Sequence, residues 1–441
     1  MSRVLLLATT TGYQTRAFGE AAERLGVDLV FATDRCHVIE DPWRDQAIAI
    51  RFHDEEASVA GILDAAGSRP LDGILVVGDR PTVIGARVAH ALGIPWHPPE
   101  GAAIARNKQR TRERFQAAGL AVPWFVATTT GADPQAVARS IPYPAVVKPV
   151  ALSGSRGVMR ADNPDAFVTA FGRLRTLLHS PDIQAERNDA HASVIVEGFI
   201  PGREYALEAL LHHGVLHVLA LFDKPDPLDG PFFEETIYVA PSDAGAREYA
   251  AIVDAVTQAA AAIGLRHGPV HAECRVNDAG VFVLEVAARP IGGLCARSLR
   301  FEKRGRESFS DGREKDSRPL FSLEELLLRH SLGESPEEWR RESLASGVMM
   351  IPISRRGIFR RVDGVDEARA VAGVDDIRVT AKADQLLIPL PEGASYLGFI
   401  FARAEHPGDV DRALRAAHGR LRFVIDPEIP VIARGQLHYN H

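Results

Sequence analysis

Cysteine is scarce in this chain: three residues in 441, at Cys36, Cys274 and Cys295. They are too few for a disulfide scaffold and too widely spaced for a metal-ligand cluster, so reduced thiols are expected, with Cys274 a small core residue. Long apolar runs are missing too. None approaches the 18 or so residues of a membrane span, and Met1-Ser-Arg-Val leads straight into strand-forming sequence rather than a signal peptide, so a cytoplasmic protein is expected. Nor is there an excess of positive charge: 51 Lys and Arg stand against 58 Asp and Glu, a formal net charge of −7. That balance argues against nucleic acid or an anionic membrane as the main partner. Glycine is plentiful, yet no GxGxxG occurs, which removes the usual dinucleotide fingerprint. No internal repeat is evident.

What is present is enough for about three domains. Val4–Ala8, Val27–Ala32 and Gly73–Val77 read as buried strands, with helices over Phe18–Leu25, Gly61–Ala66 and Pro81–Leu92 between and after them. This alternation implies a parallel sheet covered by helices, with ligands at the carboxyl ends of its strands. Thr9–Tyr13 and Gly78-Asp79 lie there, and Asp79 reads equally as a cap or a ligand contact. Pro95–Pro99 looks like a linker and Asn107–Ala118 a helix. A second α/β unit follows: strand Val122–Ala127, helix Pro134–Ser140 and strand Ala145–Lys148. Its loop Ser153-Gly-Ser-Arg-Gly157 has the small residues that let backbone N–H groups approach a phosphate, with Arg156 adding charge and Lys148 just upstream. Ser193–Glu197, Tyr205–Leu211 and His217–Phe222 read as strands, and Ala246–Ala262 as a long helix. Glu302–Arg318 is a polar segment with eleven charged residues in seventeen, expected to be a solvated loop. Ser322 and Glu325 form a capping box for a helix over Leu323–His330. From about Gly347 onward, short strands and helices suggest a small α+β domain.

The most informative stretch is His271–Glu285. Apolar and polar residues alternate on both sides of Asn277-Asp-Ala-Gly280, a hairpin signal. If Gly280 forms the bulge of a three-residue loop, Asn277 pairs with Val281 and Glu273 falls opposite Glu285. One face then carries Val270, Ala272, Cys274, Val276, Phe282, Leu284 and Val286; the other carries His271, Glu273, Arg275 and Glu285, followed by Arg289. Facing carboxylates about 5 Å apart repel unless a cation joins them. Oxygen ligands beside an arginine suit Mg²⁺ on substrate phosphates better than zinc. The bland alternative is a salt-bridged solvent face, Glu273 to Arg275 and Glu285 to Arg289.

Taken in order, Asn107-Lys108, Ala145-Val-Val-Lys148-Pro, Ser153–Gly157, Val196–Glu204, His267–Glu273 and Leu284–Gly293 resemble the ATP-grasp superfamily of carboxylate–amine ligases, most closely its L-amino-acid (dipeptide) ligase branch. The resemblance covers Met1 to about Arg300 and continues more weakly beyond. It implies an α/β and α+β multidomain fold: an N-terminal parallel-sheet domain over 1–96, a linker and helix over 97–122, a two-lobed ATP-grasp fold with its lid over 123–196 and its large lobe over 197–335, and a C-terminal α+β domain over 336–441. It implies that Lys108 and Lys148 hold ATP phosphates under a loop carrying Ser153, Gly154, Ser155 and Gly157. The segment containing Glu197, Phe199 and Ile200 would meet adenine, and Glu204 the ribose. Glu273 and Glu285 would bind Mg²⁺, with Mn²⁺ as the alternative, and Arg289 would be the catalytic residue on the transferring phosphoryl group. Glu235, Tyr238, His271 and Gly292 are the substrate-side candidates. The implied reaction makes an acylphosphate from a small carboxylate, then an amide by attack of an amine, with ADP and phosphate released. The implied partners are those small molecules, in a chain compatible with a homodimer.

Two departures stand out. Relatives carry Asn two residues after the second metal-binding Glu, where this chain has Ala287, and a His where it has Tyr238. Rival readings are another ATP-grasp chemistry, such as a biotin-carboxylase-like or purine-pathway enzyme, and a non-catalytic nucleotide-binding regulator.

Overall fold

The computed structural model describes residues 1–9, 14–34, 47–67, 69–303 and 319–428. Thr10–Tyr13, Cys36 and all but the first two residues of the charged segment Glu302–Arg318 lie outside them.

The N-terminal part comprises β1 (Arg3–Leu7), α1 (Thr15–Leu25), β2 (Asp28–Thr33), β3 (Ile48–Ala49), α2 (Glu55–Gly67), β4 (Gly73–Val76) and α3 (Thr82–Leu92). The sheet order is β3-β2-β1-β4, all parallel. Strand β3 is too short to read from periodicity. Trp96 and His97, within the expected linker, are buried, and helix α4 (Pro99–Ala105) begins where the linker was expected to end. In α5 (Lys108–Ala117) the cap is Asn107, whose Oδ1 accepts from the Arg110 amide at 3.0 Å. That cap fixes Lys108 at the helix start.

The lid contains β5 (Phe125–Thr129), α6 (Pro134–Ser140), β6 (Ala145–Pro149), β7 (Met159–Ala161), α7 (Pro164–Leu178), α8 (Pro181–Gln184) and β8 (Ser193–Gly198). Its order β5-β8-β6-β7 is wholly antiparallel. The strand and helix spacing that suggested a second α/β unit is therefore an α+β layer, with α7 supplying Phe167, Phe171 and Leu174 to its own core.

After the lid come β9 (Arg203–His212), β10 (Val215–Lys224), β11 (Ile237–Ala240), α9 (Ala246–Ala262), β12 (Gly268–Asn277) and β13 (Gly280–Ala287). Then follow β14 (Arg300–Lys303), β15 (Phe321–Ser322), α10 (Leu323–Ser331), β16 (Trp339–Arg341) and β17 (Ala345–Ile351). Glu302 and Lys303 thus belong to a strand rather than a loop. The chain closes with β18 (Gly357–Asp363), α11 (Val365–Arg369), β19 (Val374–Val379), β20 (Leu386–Leu387), β21 (Gly398–Ala404), α12 (Pro407–His418) and β22 (Arg422–Asp426). Strands β17, β21 and β19 extend the central sheet, whose eight-strand order is β13-β12-β9-β10-β11-β17-β21-β19. The C-terminal part shares that sheet with the preceding lobe. One apolar core joins β1 and β4 to β9, β12 and α9, and a second lies under α12. Among the described residues no helix is long and apolar enough to cross a membrane.

The hairpin reaches the expected pairing by another route. Asn277 pairs with Gly280 around a two-residue turn, and the extra residue is Leu284, at a bulge between Cys274↔Val283 and Glu273↔Glu285. A bulge switches the sequence of faces along a strand. Val283 and Val286 consequently enter the core, while Phe282 and Leu284, expected there, do not, and Leu284 lines the cavity described next.

Candidate active site

A cavity of about 460 Å³ opens between the lid and the central sheet, within the range of small-molecule sites. Of the nucleotide, metal, catalytic and substrate candidates that the resemblance implies, all but Gly157 line it. The N-terminal sheet contributes Thr9, Gly78 and Asp79 from the carboxyl ends of β1 and β4, and the loop before β21 contributes Ala394, Ser395 and Tyr396.

On the lid side, Lys148 forms a buried ion pair with Glu197, and Arg112 donates to the same carboxylate at 2.9 and 3.3 Å. Burial opposes ionisation of Glu197, but the two cations outweigh it and hold its carboxyl at about 2. Lys148 is itself pushed down to about 8, by burial first and by Arg112 and Lys108 in addition, against the pull of Glu197. The Glu197 side chain thus anchors Lys148 while its backbone stays in the β6–β8 ladder. Lys108 spans the gap: its Nζ donates to the Leu152 carbonyl at 2.6 Å and lies 3.5 Å from Glu285.

In the phosphate-type loop, Gly154, Ser155 and Gly157 all have positive φ, a conformation costly for Ser155 and typical of functional turns. Arg156 does not join the cavity. It donates to the Glu392 carbonyl at 2.8 Å and to Asp182 at 2.6 Å, and the Gly157 amide donates to the Pro391 carbonyl at 2.8 Å. The expected phosphate charge at Arg156 is instead a tether between the lid and the C-terminal part. In the expected adenine segment, the Phe199 amide donates to the Pro144 carbonyl at 3.1 Å and the Ile200 carbonyl accepts from Arg275 at 2.7 Å.

On the sheet side, Lys224 reaches Glu204 at 2.8 Å, Glu235 at 2.7 Å and Glu273 at 3.3 Å, and the three carboxylates offer oxygens within 4.8 Å of one another. Arg275 donates to Glu204 at 2.7 Å rather than to Glu273. Burial, then the neighbouring Glu273, raises Glu235 to about 7, so the cluster keeps one carboxyl near neutrality. His271 lies 3.1 Å from Glu208 and 3.6 Å from Glu273. Tyr238 packs over Lys224, 4.9 Å from ring centre to Nζ. The like-charge conflict of Glu273 and Glu285 is therefore relieved by Lys224 and His271 on one side and Lys108 on the other.

Arg289 grips Asp79 in a fork at 2.8 and 3.1 Å. The next residues are fixed from two directions: the Ile291 amide donates to Glu208 at 3.1 and 3.2 Å, and Gln14 donates to the Ile291 carbonyl at 2.6 Å. The alternative solvent-face pairs, Glu273 with Arg275 and Glu285 with Arg289, do not form; Arg275 takes Glu204 and Arg289 takes Asp79 instead. Ala287 is buried and offers no ligand atom, so the protein donors for a dication are the two glutamates. Two carboxylates with water and phosphate oxygens completing the shell are a fitting set for Mg²⁺.

Sequence reasoning missed Lys224, Arg112, Glu208 and Gln14. Lys224 carried a faint local signal, a lysine just beyond the apolar run Leu219–Phe222 and Asp223; the others carried none.

Two lobes closing on a cavity that has lysines on one wall and facing glutamates with an arginine on the other define the ATP-grasp class. Residues 19–96 match the ATP-grasp N-terminal domain, 141–298 the ATP-grasp domain and 349–426 the L-amino acid ligase C-terminal domain 2. The chain belongs to the ATP-grasp superfamily, with the C-terminal part of the L-amino-acid ligase branch. The crystal structure of L-amino acid ligase from Bacillus licheniformis superposes with a TM-score of 0.79 at 26% identity, covering 97% of this chain and 99% of that one. The ATP-grasp enzyme fsqD of Aspergillus fumigatus is 28% identical over 60% of this chain, and alanine–anticapsin ligase of Bacillus subtilis 27% over 54%. The matched region spans 46% and 52% of those two relatives, about half of each.

Proposed function

We propose that this protein is an ATP-dependent ligase that phosphorylates a small carboxylate, an amino acid in the first instance, and joins the acylphosphate to an amine, releasing ADP and phosphate. The observation that carries the proposal is the convergence of Lys108, Lys148, Glu273, Glu285 and Arg289 on one cavity that extends past them to Ser395 and Tyr396. A terminal phosphate near the first five leaves room beyond it for an acceptor. Similarity to an L-amino acid ligase over 97% of the chain supports the amino-acid reading.

Phosphoryl transfer asks a protein mainly to position groups and neutralise charge. Lys108 and Lys148 would bind phosphate oxygens from the lid side. Arg289, already oriented by Asp79, would turn its fork to the equatorial oxygens of the transferring group. Glu273 and Glu285 would hold Mg²⁺, which when bound offsets charge on the phosphates. Glu235, with its raised carboxyl, would serve as the proton acceptor for an incoming ammonium, while His271, against its burial held up at about 9 by Glu208 and Glu273, would stay a cation. Pro290–Gly293, held by Glu208 and Gln14, would keep solvent off the reacting carboxylate.

Incubation with ATP, Mg²⁺ and a panel of amino acids should release ADP and inorganic phosphate, never AMP and pyrophosphate, and hydroxylamine should intercept the acylphosphate as a hydroxamate. Glu285→Gln should abolish turnover with an unchanged melting temperature. Bicarbonate-dependent turnover without hydroxamate from any amino acid would overturn the ligase reading.

A further inference from the structure

The central sheet gathers imidazoles where β9 and β12 run out, four residues along each strand from Glu208 and His271, or about 13 Å at a normal strand rise. The last paired residues there are Gly268 and Leu211. One further step in the same register sets His267 beside His212. His213 and Gly214 then close the β9–β10 hairpin with φ of 51° and 91°, a type I′ turn in which Asn, Asp or Gly is the usual first residue. Here the turn carries His213 back over its neighbours, its ring centre 4.5 Å from that of His212 and 4.8 Å from that of His267. From the other side, α10 brings His330, whose Nε2 lies 3.2 Å from His212 Nδ1 and whose ring stacks on His267 at 4.4 Å.

We propose that His212, His213 and His267, with His330 completing the set, form a second cation site, for a transition-metal dication of the Zn²⁺ class, separate from the nucleotide cavity. One ring nitrogen from each of the first three lies within 4.8 Å of the other two. Ligands on a tetrahedral zinc at about 2.0–2.1 Å are about 3.4 Å apart, close to the His212–His330 separation. Bringing the nitrogens of His212, His213 and His267 from within 4.8 Å of one another to that spacing takes a contraction of at most about 1.4 Å, to which exposed His213 can contribute by rotating. The donors are all imidazole nitrogens, which suit zinc and leave hard Mg²⁺ to the carboxylates. Metal binding needs neutral imidazole. Burial, followed by the neighbouring imidazoles, lowers His267 to about 4 and His330 to about 3. His97, which packs behind, is not a ligand: its ring nitrogens meet the Pro269 carbonyl at 2.9 Å and the Arg266 amide at 3.3 Å. A bound ion would staple the β9–β10 turn and the start of β12 to α10.

The test uses the untagged full chain, stripped by chelator and re-equilibrated with Zn²⁺ or Co²⁺ in excess Mg²⁺. Elemental analysis should find a tightly held zinc ion, Co²⁺ should give the intense visible absorption of a tetrahedral site, and zinc should raise the melting temperature. His213→Gln removes an exposed ring, so folding is not at issue. It should weaken zinc by at least the roughly tenfold that loss of even an outer hydrogen-bond partner costs a metal site, and His212→Gln should do the same. Glu285→Gln should leave the zinc in place. Unchanged zinc affinity in both histidine variants, loss of the ion in Glu285→Gln, or no zinc bound by the native chain would overturn the proposal.

Discussion

Lys148 shows how a single residue can be prepared for phosphate. Burial lowers an ammonium's affinity for its proton, while a carboxylate contact restores it. With Glu197 shared between Lys148 and Arg112, the balance leaves Lys148 at about 8 against an ordinary 10.5. Because kcat/KM reports the free enzyme, kcat/KM for ATP should fall as pH rises through about 8. The stability effect of this group has the opposite sign. Between about 8 and 10.5 the unfolded chain binds more protons at this lysine than the folded one, so the contribution to stability rises with pH across that window. Activity lost above pH 8 without a drop in melting temperature would therefore mark Lys148 rather than unfolding. Lys148→Arg, protonated throughout, should move the alkaline limb upward; an unmoved limb would assign it to another group.

At the scale of elements, the β12–β13 hairpin was legible because alternation has a period of two and Gly280 marks the turn. Its facing glutamates were found correctly. The path to them was not, because whether the extra residue sits in the turn or at Leu284 depends on how β13 packs against α9, which alternation does not record. That is why Phe282 and Leu284 were assigned to the wrong face. Gln14 and Glu208 escaped notice, and Asp79 was marked without its partner Arg289, for a related reason: each meets the Arg289–Ile291 segment from more than 80 residues away in sequence, and only the sheet order brings them together. The antiparallel lid was misjudged because strand direction depends on connections rather than composition. Gly202, by contrast, is fixed locally. At φ 123° a Cβ there would come 2.1 Å from the Val276 carbonyl oxygen, so Gly202→Ala strains the turn from Ile200 into β9. Such backbone strain costs about 1–3 kcal/mol; urea unfolding should show a loss of that order together with weaker nucleotide binding, and an unchanged midpoint would contradict the steric account.

Across the whole molecule, the C-terminal part is bound in twice. Its strands β17, β21 and β19 complete the central sheet, and its Pro391-Glu392 segment receives the lid through Gly157, Arg156 and Arg173, the last paired with the Glu392 carboxylate at 2.9 Å. Ending the chain after residue 344 would leave β11 as an open edge and uncover Ile237 and Val239 from the second core. Exposed apolar edges aggregate. The shortened protein should accordingly be insoluble or fail to show cooperative unfolding by circular dichroism, and a soluble form with normal nucleotide affinity would show the C-terminal part to be dispensable for folding.

The loop of Ala394, Ser395 and Tyr396 lies between β20 and β21, outside either ladder, yet walls the far end of the cavity. Ala394 and Ser395 are exposed there, whereas Tyr396 is partly buried and feels the charges of Glu235 and Lys224. On the proposed function, a library confined to Ala394 and Ser395 would sample new acid or amine preferences while leaving the phosphate chemistry intact, whereas Tyr396, packed on the core and near Phe399, is tied to the fold as well.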